Sequence, residues 1–151
     1  MHQTDCFYLA NVDALIEAVQ AREPEMIDLD YVSRGVADLE CNCLAGLVAR
    51  LPYFHAYGVV RGDGGAPEML GADGLPRLVD ETLAHLFGPF GTGGSAQILF
   101  GCYGTGLFDS ALRLRASGDM SHKDLALGRL FLVRGVLASE AVPGQCRAIA
   151  G

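Results

Sequence analysis

By type and context, the thiol of Cys102 is the group best suited to covalent chemistry. It lies in Phe100-Gly101-Cys102-Tyr103-Gly104-Thr105-Gly106, just ahead of an expected helix start. Glycines let a backbone approach a ligand closely, and a helix N-terminus lowers the pKa of a nearby thiol. A thiolate nucleophile also needs a base, from His55, His85 or His122, and an orienting acid such as Asp109. His55 sits among Tyr53, Phe54 and Tyr57, an aromatic cluster of the kind that lines ligand pockets. Cys102 and His55 are therefore the candidate catalytic residues, although no spacing in the chain obliges them to meet. A half-buried histidine with one hydrogen bond is the plainer reading of His55.

The remaining motifs carry less. Cys41-x-Cys43 has two potential metal ligands, but on a helix residues two apart point about 200° away from each other. No second Cys-x-Cys or Cys-x-x-Cys and no His-x-x-x-His completes a site, so no metal is expected. Gly91-Thr92-Gly93-Gly94-Ser95 lacks the lysine of a phosphate-binding loop, and the segment before it does not read as the strand a dinucleotide site needs. No cofactor is expected. Asp80 and Glu81 are adjacent on a helix and do not face each other, which makes them surface charge.

Charge offers a second kind of function. The formal net charge is −7, and residues 1–40 hold nine acids against Arg22 and Arg34, so the rest of the chain balances. A field of one sign at one end steers a basic partner and repels nucleic-acid phosphates. Glu17, Glu23, Glu25 and Asp28 are the expected partner-binding residues. Lys123 is the only lysine, which also argues against a nucleic-acid role. With Arg113, Arg115, Arg129 and Arg134 it gives the C-terminal part a mildly basic tone, suited to the acidic end of a neighbouring subunit.

These residues need a frame to hold them. At 151 residues the chain has the length of one domain, and half its residues are apolar. The element expected to organise it is Ser121 to Ala138. Ser121 with Asp124 three residues on is a variant capping box. The leucines and valines that follow cover almost every sector of a helix, and such a helix is normally buried in a core or a subunit contact. Arg129 and Arg134 rule against a membrane span. Gly128 and Gly135 fall on one side, where another backbone could approach.

Earlier in the chain, Asn11 is read as an N-cap, with Val12, Leu15, Ile16 and Val19 at helical spacing up to a stop before Pro24. Residues 22–30 form an acidic connector. A second helix is expected from Asp28 or Asp30 to Arg50, with an Arg34–Asp38 pair outside. Tyr53 to Arg61 reads as a strand, Gly62 to Gly65 as a turn, and Ala66 to Leu70 as a short edge strand or a loop because of Pro67. Leu75 to Phe87 is a helix with Pro76 in its first turn, stopped by Gly88 and Pro89. Gly88 to Gly94 is a loop, Ala96 to Tyr103 a buried strand or short helix, and Leu107 to Ala116 a helix capped by Thr105. Residues 141–151 form a loosely ordered tail.

The expected fold is thus mainly α: a single compact domain of five to six helices around a buried C-terminal helix. A small two-stranded β element at 53–61 and 96–103 would make it α+β. The N-terminus lacks a basic-then-apolar export pattern, and the count of five cysteines is odd, so free thiols in a cytoplasmic protein are expected. The favoured function is a non-catalytic binding or regulatory protein, acidic at one end and homo-oligomeric through its apolar helices, without nucleic-acid or membrane partners. The alternatives are a small thiol enzyme or ligand-binding domain using Cys102 with His55, and a structural subunit of a larger assembly.

Overall fold

Two long helices lying against each other, one from each end of the chain, form the frame. In a computed structural model the described residues are 2–30, 34–36, 39–62, 65–70, 73–77, 79–100, 109, 112 and 120–140. Among them the order is α1 (His2–Gln20), β1 (Arg34–Val36), β2 (Leu39–Cys41), α2 (Leu44–Arg50), α3 (Pro52–His55), β3 (Val59–Arg61), β4 (Pro67–Leu70), β5 (Pro76–Arg77), α4 (Val79–Phe87), α5 (Gly93–Phe100) and α6 (His122–Glu140). The fold is mainly α with a small β element, as expected.

The helix α1 buries Val12, Leu15, Ile16 and Val19 on one side, the spacing read from the sequence. It starts nine residues before Asn11, so that residue is no cap. Asn11 is fully buried in mid-helix instead. Its Nδ2 donates to the Leu86 carbonyl at 2.8 Å, and its Oδ1 accepts from the Tyr53 hydroxyl at 3.0 Å. Leu86 lies in the last turn of α4, where carbonyls have no intrahelical donor. Both ends of the amide are thus satisfied, which is the condition for burying it.

Against α1 packs α6, antiparallel and over the most extensive contact between any two described elements. Ser121 caps α6 as expected: the Asp124 amide donates to Ser121 Oγ at 3.0 Å. At its start Lys123 Nζ donates to the carbonyls of Gln20 (3.2 Å) and Arg22 (2.5 Å) at the end of α1. A cation suits the carbonyl end of a helix. Further along, Arg134 Nε donates to Asp13 Oδ1 at 2.6 Å, with both side chains nearly half exposed. The basic tone of the last helix is therefore met partly by α1 of the same chain.

The long second helix is not formed. Only Leu44–Arg50 is helical, and β1 and β2 pair as an antiparallel hairpin with Arg34 opposite Cys41 and Val36 opposite Leu39. Gly35 and Val36 weaken a helix there. The connector supplies alternative backbone partners: the Asp28 amide donates to the Asn42 carbonyl, and the Asn42 amide to the Met26 carbonyl, both at 3.0 Å. The Arg34–Asp38 pair falls outside the described residues. Within α2, all residues from Leu44 to Ala49 are buried.

Tyr53 and Phe54 belong to α3, not to a strand, because Pro52 suits the first turn of a helix. Only Val59–Arg61 is extended, and it pairs with β4. Pro67 opens β4 opposite Arg61, the position in a strand where a missing donor is tolerated. β4 also pairs with β5, so it is the central strand of three rather than an edge. Pro76 sits in β5, and α4 begins at Val79. Gly88 follows α4 at φ +59, where a Cβ would strike the Tyr8 ring.

The segment 88–94 is not an open loop. Gly88–Gly91 forms a 3-10 turn, with the Gly91 backbone pressed against the Leu83 carbonyl so closely that a Cβ would collide with it. The helix α5 then takes residues 93–100, so of the two readings of 96–103 the short helix, not the strand, is found where described. The expected helix at 107–116, apart from Asp109 and Leu112, and the tail at 141–151 lie outside the described residues.

Along α6, Leu125, Ala126, Leu130, Val133 and Leu137 enter the common core with Leu15, Leu47 and Leu86. Burial does not extend all round the helix, contrary to expectation. Phe131 is 50% exposed, Leu132 38% and Val136 36%.

Candidate functional site

The sequence-derived catalytic pair is not assembled among the described residues. Cys102 lies outside them. His55 ends α3 and is exposed, with Nε2 2.7 Å from the Ala49 carbonyl. Its ring is anchored to the last turn of α2. Nor are all five cysteines free thiols: Cys6 is disulfide-bonded, while Cys43 is a buried thiol outside any disulfide.

The four acidic residues expected to meet a partner are dispersed. Glu17 lies on α1, Glu23 precedes the 3-10 turn Pro24–Met26 and Glu25 lies within it; all three are exposed. Asp28 is drawn inward. Its Oδ1 accepts from the Asp30 amide at 3.1 Å and lies 3.7 Å from His122 Nδ1. Asp28, Asp30 and His122 hold potential ligand atoms within 4.8 Å of one another, the one such cluster among the described residues. Chain separation hid it, since His122 is 93 positions from the adjacent Leu29.

The geometry of that cluster favours a clasp over a metal centre. His122 Nδ1 accepts from the Leu29 amide at 2.9 Å, which uses the ring's one lone pair in its Nε2–H tautomer. A metal at Nδ1 would orphan an amide of a residue that is 3% exposed. A metal at Nε2 would require that nitrogen to lose its proton while Nδ1 keeps its acceptor role. The cluster therefore ties the connector to the start of α6.

The outer side of α6 is the most distinctive surface. The exposed positions Phe131, Leu132, Gly135, Val136, Ala138 and Ser139 recur at helical spacing and carry no charge. The helix does hold arginines in this span, and both turn away from this side. Arg129 is fully buried, with Nε donating to Asp109 Oδ1 at 2.9 Å, Nη2 to Asp109 Oδ2 at 2.5 Å and Nη1 to the Leu99 carbonyl at 3.3 Å. Arg134 reaches across to Asp13. A Cβ added at Gly135 would meet nothing within 4 Å. The result is a smooth, neutral, apolar strip with a notch at its centre. Gly128, expected to share that open side, packs against Leu112 instead.

A cleft of about 290 Å³ separates α1 from the α2–α3 corner. Tyr53 forms part of its wall and packs edge-on against Tyr57 at 5.5 Å between ring centroids. The aromatic cluster noted in the sequence thus does border a concavity, through Tyr53 rather than His55. Burial, the neighbouring Tyr57 phenol and the Asp13 carboxylate raise the Tyr53 pKa. Burial, then the nearby Arg50 charge, lowers that of Arg22 on the opposite wall.

Among the described residues no helix is long and apolar enough to cross a membrane. No protein-family model matches the chain, and neither a curated protein nor a solved structure is matched by it.

Proposed function

We propose that the protein is a non-catalytic binding protein that pairs with a second copy of itself through the outer side of α6 and offers its acidic N-terminal segment to a basic protein partner. The observation that carries this reading is the charge-free apolar strip at Phe131, Leu132 and Val136, with Gly135 open between them. Exposed apolar residues scattered singly are ordinary; here three lie together with no charge between them, which suits a small contact surface. Being neutral, it meets no like charge when turned on itself across a two-fold axis.

Its size sets the strength. The span from Phe131 to Ser139 gives a strip roughly 13 Å long and 10 Å wide. That is roughly a sixth of the ~800 Å² per partner of a standard interface. The expected association is weak and concentration-dependent. Glu17, Glu23 and Glu25 are exposed along the segment that would face a basic partner, and Asp28 lies in the clasp. A cytoplasmic location accords with this role only if the disulfide at Cys6 is reversible, since structural disulfides are rare in reducing compartments.

Sedimentation velocity over a concentration series tests the reading. The native chain is expected to pass from monomer to dimer, and the double variant Phe131→Lys, Leu132→Lys to stay monomeric with an unchanged circular dichroism spectrum. A native chain that is monomeric at every concentration ends the self-association reading.

A further inference from the structure

We propose that the cleft between α1 and the α2–α3 corner binds a small zwitterion, an apolar amino acid or short peptide carrying a free amino group and a free carboxylate. This site is separate from the outer strip of α6 and does not depend on pairing. Its floor is Ala14 and Ala18, which share one side of α1, with Ala21 just past the helix end. Small side chains there leave room for an apolar group, and Leu51, Pro52 and Tyr53 wall it in.

Two charges of opposite sign border this apolar space. The Glu17 side chain makes no hydrogen bond or ion pair among the described residues, and neither does it reach Arg22. Arg22 donates Nη1 to the Ala18 carbonyl at 3.1 Å, which steadies the guanidinium without neutralising it. Arg50 is close enough to act on it as a second positive charge. An unpaired carboxylate and an unpaired guanidinium around one concavity match a ligand with both an ammonium and a carboxylate. A guanidinium presents a fork of donors suited to a carboxylate. At about 290 Å³ the space lies at the lower edge of ligand pockets, which fits one or two residues rather than a larger molecule.

The test is calorimetric titration of the full-length protein with free leucine, alanyl-leucine, N-acetyl-alanyl-leucine and alanyl-leucinamide. The zwitterions are expected to bind saturably at millimolar concentrations, with each capped peptide weaker by about tenfold. Whichever of leucine and alanyl-leucine binds tighter sets the ligand length. Glu17→Gln should abolish the preference for a free amino group while leaving that for a free carboxylate. Arg22→Gln should do the converse, with circular dichroism confirming that the α1 terminus survives loss of the Ala18 contact. Absence of saturable zwitterion binding overturns the proposal, as does equal binding of capped and uncapped peptides by the native chain.

Discussion

Each side of α6 carries a departure from the usual arrangement of a surface helix. The inward side holds Arg129 with no exposed surface, clamped to Asp109 and the Leu99 carbonyl. The outward side holds Phe131, half in solvent, beside Leu132 and Val136. Leu125, Leu130, Val133 and Leu137 bury the same side, so hydrophobicity accounts for the way the helix is turned but not for the arginine among them. A guanidinium with two carboxylate oxygens and a carbonyl as partners is satisfied in the core, and such directional bonds fix the position of a helix that apolar contacts alone would let slide. Inside, then, charge provides geometry. Outside, apolar surface is left over after the core is complete.

The largest effect should come from the inner side. Arg129→Met leaves the Asp109 carboxylate buried without its cation and should lower stability by about 3–5 kcal/mol in urea denaturation. The double variant Arg129→Met, Asp109→Leu should recover most of that loss. If the double variant is as unstable as the single one, the pair is not what sets the inner side.

Next comes the clasp at the same helix's start. His122→Ala removes the acceptor of the Leu29 amide and should cost about 1–3 kcal/mol, read by the same denaturation. A neutral result would mean that water reaches the amide and that the inner hold on α6 begins only at Leu125.

The smallest effect sharpens the contrast, because it should have opposite signs in the two measurements. Gly135→Ala adds a methyl where nothing lies within 4 Å and improves helix propensity, so the monomer should gain up to about 1 kcal/mol. Dimerisation should weaken if partner helices cross at that notch, as sedimentation would record. A gain in both would place the crossing elsewhere along the strip.

What the sequence disclosed was mostly local. The Ser121 cap, the 12/15/16/19 stripe and the stop at Gly88 each depend on residues within one or two turns, and each is found in the structure. The β1–β2 hairpin was not legible, because its competitor helix lost in part to the backbone bonds of Met26 and Asp28 with Asn42, which local spacing does not show. Arg129 was visible as a charge in an apolar segment but not as a core residue, since its partner lies 20 positions away. The strip on α6 was hidden for the same reason. Apolar residues on every side of a helix announce that something covers it, yet only the packing of α1 against one side reveals which side remains. For the cleft, the aromatic residues were noticed and the two charges that border it were read separately, Glu17 as a contact for a basic partner.

Lys123 joins the carbonyl end of α1 to the beginning of α6, and it carries the chain's single ε-amine. Acylation of that one nitrogen would strip its positive charge and most of its donors at a stroke. A reagent directed at amines therefore has, apart from the α-amino group, one address in this protein, and it is the hinge pin between the first and last helices.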